Sequence, residues 1–425
     1  MLSNKLFITS FCSLFLLCTA CTKTGHKASE VLMPKDENSM FSASECYVIH
    51  GDSIRTMNQV ENEPCITIHI PDCNIPSVSD TIIESYEFIP LESNPECMIG
   101  QVSKVLKCKD CFCVFDRDNS NAFLFNLDGS LRCKLGEKGH TKQEYLRLYN
   151  VAYNAREEFI SLLDLDGRKI MDYNMDGKLM AVHPLYFLYT ALEYDNDCIV
   201  CNTGLSYNSF SSILDCHKLT LADSLQRPIA HAFKYGEQIR DAFTFSPIIK
   251  KTDDCIYYDD RVSDTIWQIR NQQITPVVEF LCDGRHRFSS EDIRDMSDQK
   301  FNSCNAESRH CIEWLMMKDY MLFTIAYPYK GMNLASLLIY SKNSRRYKVF
   351  GHVEKVANLG DGICYNYMDT WGRNSFVSVV EPVEILENCR KIKLAHSLTV
   401  KEKELVDSLS ADSNPVLLIT TIKDF

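Results

Sequence analysis

A repeat of 48 residues constrains the fold of this 425-residue chain more than any other feature. Two segments, Phe112–Leu131 and Phe159–Leu179, share one pattern: an apolar run ending in Asp, a polar turn, a second apolar run, and Asp-Gly before a third. The Asp that ends the first run is Asp116 in one copy and Asp164 in the other, and the Asp-Gly dipeptides keep the same spacing. Asp-Gly between alternating apolar runs is a strong β-hairpin signal. The repeat therefore predicts a series of small antiparallel sheets.

Less regular copies of this unit fill the rest of the chain. They lie at Ile256–Ile274, at Tyr320–Phe350, around Phe376–Val380, and in a degenerate copy whose strands would be Cys198–Asn202 and Phe210–Leu214. About six four-stranded units of roughly 40–50 residues predict a six-bladed β-propeller. A pair of β-sandwiches and a solenoid are the alternatives, but sandwiches do not predict a fixed period. The expected fold class is all-β.

Short helical insertions interrupt the predicted strands. Ser289–Met317 contains SSEDIRDM and CIEWLMM, which predict one or two short helices. Thr399–Glu402 is a capping box before a further helix. A final strand follows at Val416–Ile422, and it could complete a blade that Ile82–Leu91 begins. Such an arrangement would close the ring.

The N-terminus has the features of an export signal. Lys5 is the one charge among residues 1–20, and the apolar run Leu6–Leu17 is followed by Thr19-Ala20 and then Cys21. This order predicts a lipoprotein signal peptide over 1–20 and lipidation of Cys21, with an ordinary cleaved signal as the alternative. The polar residues 21–62 are expected to be a flexible tether, and 63–425 the propeller. The expected location is the cell envelope, lipid-anchored in the periplasm or on the outer-membrane surface.

Three motifs are similar to those of a known family. They are EFIPLE at Glu87–Glu92 with Ile99-Gly100, LGEKG at Leu135–Gly139 with Glu144-Tyr145, and DSNPVL at Asp412–Leu417. From about Ile66 onward, the chain resembles the exported six-bladed β-propeller lipoprotein family, which is distantly similar to NHL-repeat propellers. The resemblance implies a fold and a location but no activity, because the family is largely functionally uncharacterised. The chain departs from the family at Thr141–Gln143, where a Gly-Pro-rich turn is usual, and in its many cysteines.

Composition excludes some partners and leaves the cysteines open. The net charge of −12 argues against nucleic acid, which needs clustered Lys and Arg. Of the 20 cysteines, two Cys-x-x-Cys pairs, Cys108/Cys111 and Cys198/Cys201, have a spacing that zinc or disulfides could use. Both pairs border predicted strands, so we expect buried apolar thiols, with disulfides as an open alternative and no metal. No nucleotide-binding or hydrolase motif is present, and no cofactor is expected.

The candidate ligand residues lie in loops that the repeat places on one face of the propeller. They are Asp116, Arg117, Asp164, Arg168, Asp260 and Arg261 between the second and third strands of their blades, and His140, Glu144, Tyr145 and Arg147 between two blades. Carboxylate, guanidinium and aromatic groups on one face could bind a polar ligand such as a glycan or peptide. Solvated turns with local ion pairs are the alternative.

These features predict a binding or scaffold module rather than an enzyme. Its expected partners are the membrane, through the lipid anchor, and a glycan, peptide or protein. The alternative is a glycan lyase or hydrolase at the channel mouth, which needs convergent acid and base groups about 5–9 Å apart. A third hypothesis is a docking protein that uses its blade edges or the insertion at 289–317.

Overall fold

A computed structural model describes residues 29–32, 47–60, 65–71, 82–196, 198–204, 208, 210–235, 248–252, 255–289, 292, 296–329, 332–350, 367–392 and 398–425. These residues form a six-bladed β-propeller, which confirms the predicted fold class. The innermost strands of most successive blades contact one another around a central channel, and the last blade contacts the first.

Six strands precede the first complete blade. They are β1 (Ser29–Leu32), β2 (Tyr47–His50), β3 (Arg55–Thr56), β4 (Asn58–Gln59), β5 (Ile66–Ile70) and β6 (Ile83–Pro90). β1 and β2 form a separate antiparallel pair, whereas β3 to β6 join the outer edges of later blades.

Blades 1 to 3 follow in chain order, each an antiparallel sheet counted outward from the channel. Blade 1 is formed by β7 (Lys104–Lys107), β8 (Cys111–Asp116), β9 (Asn121–Asn126) and β10 (Leu131–Lys134). Blade 2 is formed by β11 (Leu148–Asn154), β12 (Phe159–Asp164), β13 (Lys169–Asn174) and β14 (Leu179–Pro184). Blade 3 is formed by β15 (Ala191–Tyr194), β16 (Ile199–Asn202), β17 (His217–Ala222) and β18 (Pro228–Lys234).

Blades 4 to 6 complete the ring and carry the helices. Blade 4 is formed by β19 (Ile248–Thr252), β20 (Cys255–Asp259), β21 (Thr265–Arg270) and β22 (Gln273–Cys282). After α1 (Asp298–Glu307), blade 5 is formed by β23 (His310–Met316), β24 (Tyr320–Tyr329), β25 (Met332–Ser341) and β26 (Arg346–Phe350). Blade 6 contains β27 (Tyr367–Thr370), β28 (Ser375–Val380) and β29 (Val416–Ile422), with α2 (Pro382–Ile392) and α3 (Val400–Ser408) between the last two strands.

The apolar runs of the repeat form the two middle strands of each blade because both faces of a blade are buried. In β8 every residue is buried. Alternate side chains point to opposite faces, so Cys113 packs toward blade 2 and Phe112 packs toward blade 6. The Asp-Gly hairpins also form as predicted, and Gly129 and Gly177 have the positive φ angles of 88° and 77° that such turns favour.

Blade 6 closes the ring by combining both ends of the chain. β6 is its outermost strand and pairs antiparallel with β29 from Ile83–Ile422 to Pro90–Val416. This arrangement confirms the predicted closure. Next to the joint, Asn414 is buried: its side-chain amide donates to the carbonyls of Glu92 and Cys97 at 2.7 Å and accepts from Ile99 N at 2.8 Å. Residues of two of the family-like motifs therefore bond to each other at the closure.

Two local predictions are wrong. Phe210–Leu214 is not a strand but a turn, and the third strand of blade 3 is β17, whose six residues are all buried. CIEWLMM is not helical, because it forms most of β23, where pairing with β24 buries its apolar residues. The insertion before it does contain α1, while most of SSEDIRDM lies outside the described residues. The capping box at Thr399 and the helix after it are confirmed.

The segment expected to be a flexible tether has fixed structure wherever it is described. β3 adds parallel to β18 of blade 3, and β4 adds parallel to β22 of blade 4. Ile54 and Met57 are buried in this segment, so it belongs to the propeller rather than to a free linker. The expected boundary at residue 63 therefore lies too late in the chain. The predicted signal peptide 1–20 and Cys21 lie outside the described residues.

Replacing Asn414 tests the closure. Asn414→Ala leaves the buried carbonyl of Cys97, the buried amide of Ile99 and the partly buried carbonyl of Glu92 without their partner, so we expect the free energy of unfolding to fall by about 3 kcal/mol. Asp412→Ala, in the same loop but exposed, is the control and should change stability by less than about 0.5 kcal/mol. Urea denaturation measures both variants, and equal effects would contradict the role given to Asn414.

Candidate ligand site in the central channel

The three predicted aspartates stabilise their own loops. Asp116 accepts hydrogen bonds from Gly100 N and from both nitrogens of Asn119. Asp164 accepts from the backbone amides of Leu146, Arg147 and Gly167. Asp260 accepts from Val262 N and Ser263, and its carboxylate lies 3.3 Å from Lys218 Nζ. Since all three carboxylates are buried and accept hydrogen bonds within their loops, they stabilise the turns.

The remaining predicted residues differ in burial and in their partners. The ring of Tyr145 is buried in the core between blades 1 and 2. Glu144 accepts from Thr141 N at 3.0 Å, and hydrogen bonds from its own loop lower the pKa of its carboxyl. The other five are basic side chains that are exposed or partly buried: His140, Arg117, Arg147, Arg168 and Arg261. None of the ten predicted residues lines the channel cavity that is described next.

A cavity of about 480 Å³ lies in the central channel at the opposite end from the predicted face. Its walls are innermost strands and the loops that join them to the second strands, including Lys104–Lys109 of blade 1 and Met368–Arg373 of blade 6. The volume lies within the usual range for small-ligand sites. Six basic and three acidic side chains line it, although the whole chain has a net charge of −12: Lys104, Lys107, Lys109, Lys250, Lys251 and Arg373, with Glu158, Glu193 and Asp369.

Deep in the channel, ion pairs join the blades. Lys104 of blade 1 donates to Glu193 of blade 3 at 2.8 Å and to the carbonyl of Val151 in blade 2. Lys250 of blade 4 donates to Glu313 of blade 5 at 2.6 Å. These lysines and carboxylates neutralise one another and fix the inner strands.

Nearer the mouth, two lysines donate to neutral carbonyls. Lys251 Nζ donates to Tyr194 O at 2.7 Å, and Lys107 Nζ donates to Trp371 O and lies 5.0 Å from the centre of the Trp371 ring. A carbonyl carries no net charge that would neutralise the lysine. Burial lowers the pKa of Lys107, and Asp369 partly offsets that effect. The mouth therefore combines positive charge with an indole surface.

Asp369 is a carboxyl in this cavity whose pKa is raised. Burial raises the pKa of its carboxyl to about 7, and the negative charge of Glu193 also raises this pKa. A hydrogen bond from Thr370 N and the positive charge of Lys104 act in the opposite direction. The cavity therefore holds one carboxyl that titrates near neutral pH beside another that is paired with a lysine.

Within the described residues, no group of three His, Cys, Asp or Glu side chains could hold a metal ion. Of the fourteen cysteines described there, seven are buried and seven are partly buried. Among the helices that the structure describes, none is long and apolar enough to cross a bilayer.

The sequence repeat does not reveal this cavity, because the repeat marks the second and third strands of each blade. The channel is lined instead by first strands, and these are short and irregular, such as the four-residue β7 and β27. One signal was available: Lys104, Lys107 and the pair Lys250-Lys251 all lie just before predicted second strands.

The fold and channel define a six-bladed β-propeller with a positively charged cavity at one end. The chain belongs to the family described as a domain of unknown function, DUF4934, whose model matches residues 65–421. No curated protein matches the sequence.

Three solved structures are similar to this chain, and the first of them supports the fold. A candidate exported protein from Bacteroides fragilis NCTC 9343 is 17% identical, with a TM-score of 0.69 over 85% of this chain and 100% of that one. A DUF4221 family member from Bacteroides vulgatus is 8% identical, with a TM-score of 0.46 over 80% of this chain and 97% of that one. The β-propeller domain of Cps50 from Myceliophteria thermophila is 9% identical, with a TM-score of 0.38 over 79% of this chain and all of that one. At these identities the likeness of the first structure concerns the fold alone.

Substitution of Asp164 tests its structural role. Its carboxylate lies 4.0 Å from Lys169 Nζ, and both side chains are fully buried. Asp164→Ala should lower the free energy of unfolding by about 3–5 kcal/mol, because it leaves a buried lysine without its counter-charge and three amides without an acceptor. Asp166→Ala, on an exposed residue of the same turn, is the control. Thermal unfolding distinguishes them, and a stable Asp164 variant would contradict the assignment.

Proposed function

We propose that this protein is an exported, lipid-anchored binding module that holds an anionic ligand in its central channel. The observation that carries the proposal is the channel cavity, where Lys107 lies over the Trp371 ring and Lys251 donates to a carbonyl, in a protein that is acidic as a whole. An ammonium group binds carboxylate, sulfate or phosphate as a point charge. The flat faces of Trp371 and Tyr153 suit a sugar ring or another planar group beside that charge.

Export and lipidation are supported by the sequence from Lys5 to Cys21 and by the similarity to an exported lipoprotein family. The Bacteroides fragilis structure, whose name describes a candidate exported protein, agrees with this location. A lipid on Cys21 would keep the propeller at a membrane surface. Distant similarity to NHL-repeat propellers belongs to the same proposal.

A hydrolase or lyase acting on an acidic glycan is the second candidate, and Asp369 is the observation that favours it. Acid–base catalysis on glycans uses two carboxyl groups with different pKa values, one protonated and one ionised. Asp369, whose pKa burial raises to about 7, lines one cavity with Glu193, which accepts from Lys104 at 2.8 Å. Turnover of a uronic-acid oligosaccharide that Asp369→Asn abolishes, while binding persists, would establish the enzyme. Binding without turnover supports the binding module.

Lys251→Met tests the ligand site. The substitution keeps most of the side-chain stem but removes the charge, so we expect the affinity for a uronic-acid tetrasaccharide to fall about tenfold. Lys178→Met is the control, because Lys178 is exposed in an outer loop of blade 2. Isothermal titration calorimetry measures both, with a neutral tetrasaccharide and a glutamate-rich peptide as further ligands. Equal affinity for the neutral sugar would contradict an anionic ligand.

The pH dependence of stability tests the environment of Asp369. Because its folded-state pKa of about 7 lies above the unfolded value, the folded state holds the proton more tightly, and stability falls as pH rises from about 4 to 7. Asp369→Asn should therefore unfold like the parent near pH 4 and gain about 1–2 kcal/mol above pH 7, a figure that allows for screening by channel water. Denaturant titrations across this range, with exposed Asp118→Asn as control, measure the difference. A constant difference at all pH values would contradict it.

Cys21→Ser tests the anchor. Without the thiol no diacylglycerol can be attached, so we expect the variant to leave the membrane fraction. Labelling with radioactive palmitate and fractionation measure this, with Cys18→Ser as the control. Continued acylation of the Cys21 variant would contradict the proposed anchor.

A further inference from the structure

Two cysteine pairs share the Cys-x-x-Cys spacing but differ in geometry. Cys201 lies in β16, and Cys198 directly precedes that strand. Because residues three positions apart on a strand point to opposite faces, Cys198 packs with Val200 toward blade 4, and Cys201 packs with Leu192 on the other face of blade 3. This pair therefore cannot bridge without rearranging the blade.

Cys108 and Cys111 lie opposite each other across the two-residue turn between β7 and β8. Lys107 pairs with Phe112, and Cys108 N donates to Cys111 O at 2.9 Å, so the two cysteines are the next opposed pair. Opposed residues of an antiparallel ladder have Cα atoms about 5.5 Å apart and side chains on one face. A disulfide needs a Cα separation of about 4.4–6.8 Å. Both side chains also lie in the same cluster between blades 1 and 2.

The equivalent hairpins of two other blades have one cysteine but no second cysteine opposite it. Cys198 and Cys255 occupy the position of Cys111 at the start of the second strands of blades 3 and 4. The residues opposite them are Asp195 and Thr252. Among these three hairpins, blade 1 alone places a second thiol opposite the first.

The local chemistry suits thiol–disulfide exchange. The hydrogen bond from the Cys108 thiol lowers the pKa of the Cys111 thiol, and the guanidinium of Arg132 lowers it further, against burial and the charge of Asp110. The same hydrogen bond and burial raise the pKa of the Cys108 thiol, so Cys111 is the thiol that ionises more readily. A thiolate is the nucleophile in exchange reactions. Cys108 also lines the channel cavity, which gives a route for an oxidant.

We propose that Cys108 and Cys111 form a reversible disulfide at the channel mouth. The thiolate of one cysteine attacks the disulfide of an oxidant such as oxidised glutathione, and one glutathione thiolate leaves. The second cysteine then attacks the protein sulfur of the mixed disulfide and releases the other glutathione. The protein loses two electrons and two protons, and oxidised glutathione becomes two reduced molecules.

This disulfide would link the two ends of the hairpin that carries Lys107 and Lys109 into the cavity wall. Its redox state would therefore act on the proposed ligand site through the position of these lysines. The chemical proposal itself does not depend on export or on ligand binding, because the experiment supplies the oxidant.

The experiment incubates the full-length protein with oxidised glutathione, both folded and during refolding from urea. Remaining thiols are then alkylated with N-ethylmaleimide under denaturing conditions, and tryptic peptides are identified by mass spectrometry. We expect a linked product of residues 108–109 and 110–117, lighter than the two free peptides by the mass of two hydrogen atoms. Reduction with dithiothreitol should reverse the link and restore alkylation.

Matched variants separate this pair from other thiols. Cys108→Ser and Cys111→Ser should each abolish the linked product, whereas Cys113→Ser should retain it. Cys198 and Cys201 are the internal control and should stay alkylated in the folded protein. Full alkylation of Cys108 and Cys111 under both conditions, or a link that survives in Cys111→Ser, would overturn the proposal.

Discussion

The pairing of β6 with β29 is the interaction on which the rest of the structure depends. Each blade is a sheet with two apolar faces, and a ring buries both faces of every blade only when the last blade meets the first. Here the last blade is completed by a strand from near the start of the chain. Asn414 fixes the joint through Glu92, Cys97 and Ile99. Residues of two of the family-like motifs form hydrogen bonds with each other at this joint, so these residues stabilise the closure of the ring.

Closure also determines where charge can accumulate. At one end of the ring, carboxylates such as Asp164 accept hydrogen bonds from the backbone amides of the turns. At the other end, the first strands bring lysines from different blades into one channel. Some meet carboxylates of other blades, as Lys104 meets Glu193, while Lys251 meets a carbonyl. An acidic protein thereby acquires a lysine-rich cavity, whose lysines come from separate segments of the sequence.

The sequence predicted those elements whose burial is complete. The second and third strands of most blades are continuous apolar runs with polar turns, and the 48-residue repeat located them. The first strands were not predicted, because several of them are short and carry channel lysines. CIEWLMM has a composition that suits either helix or strand, and its sheet partner decides between them. β3 and β4 have two residues each, too few for any periodic pattern, and only their parallel partners in blades 3 and 4 make them strands. The channel cavity was not predicted for the same reason, because the repeat marks the loops at the other end of the blades.

Hydrogen–deuterium exchange with and without a uronic-acid tetrasaccharide tests the central claim that the channel cavity is the ligand site. The account predicts slower exchange in the loops at 104–109, 153–158 and 368–373, which meet at the mouth of the cavity. Slower exchange at 116–118, 140–147 and 164–168, with none at the cavity, would place the ligand on the opposite face and contradict the account.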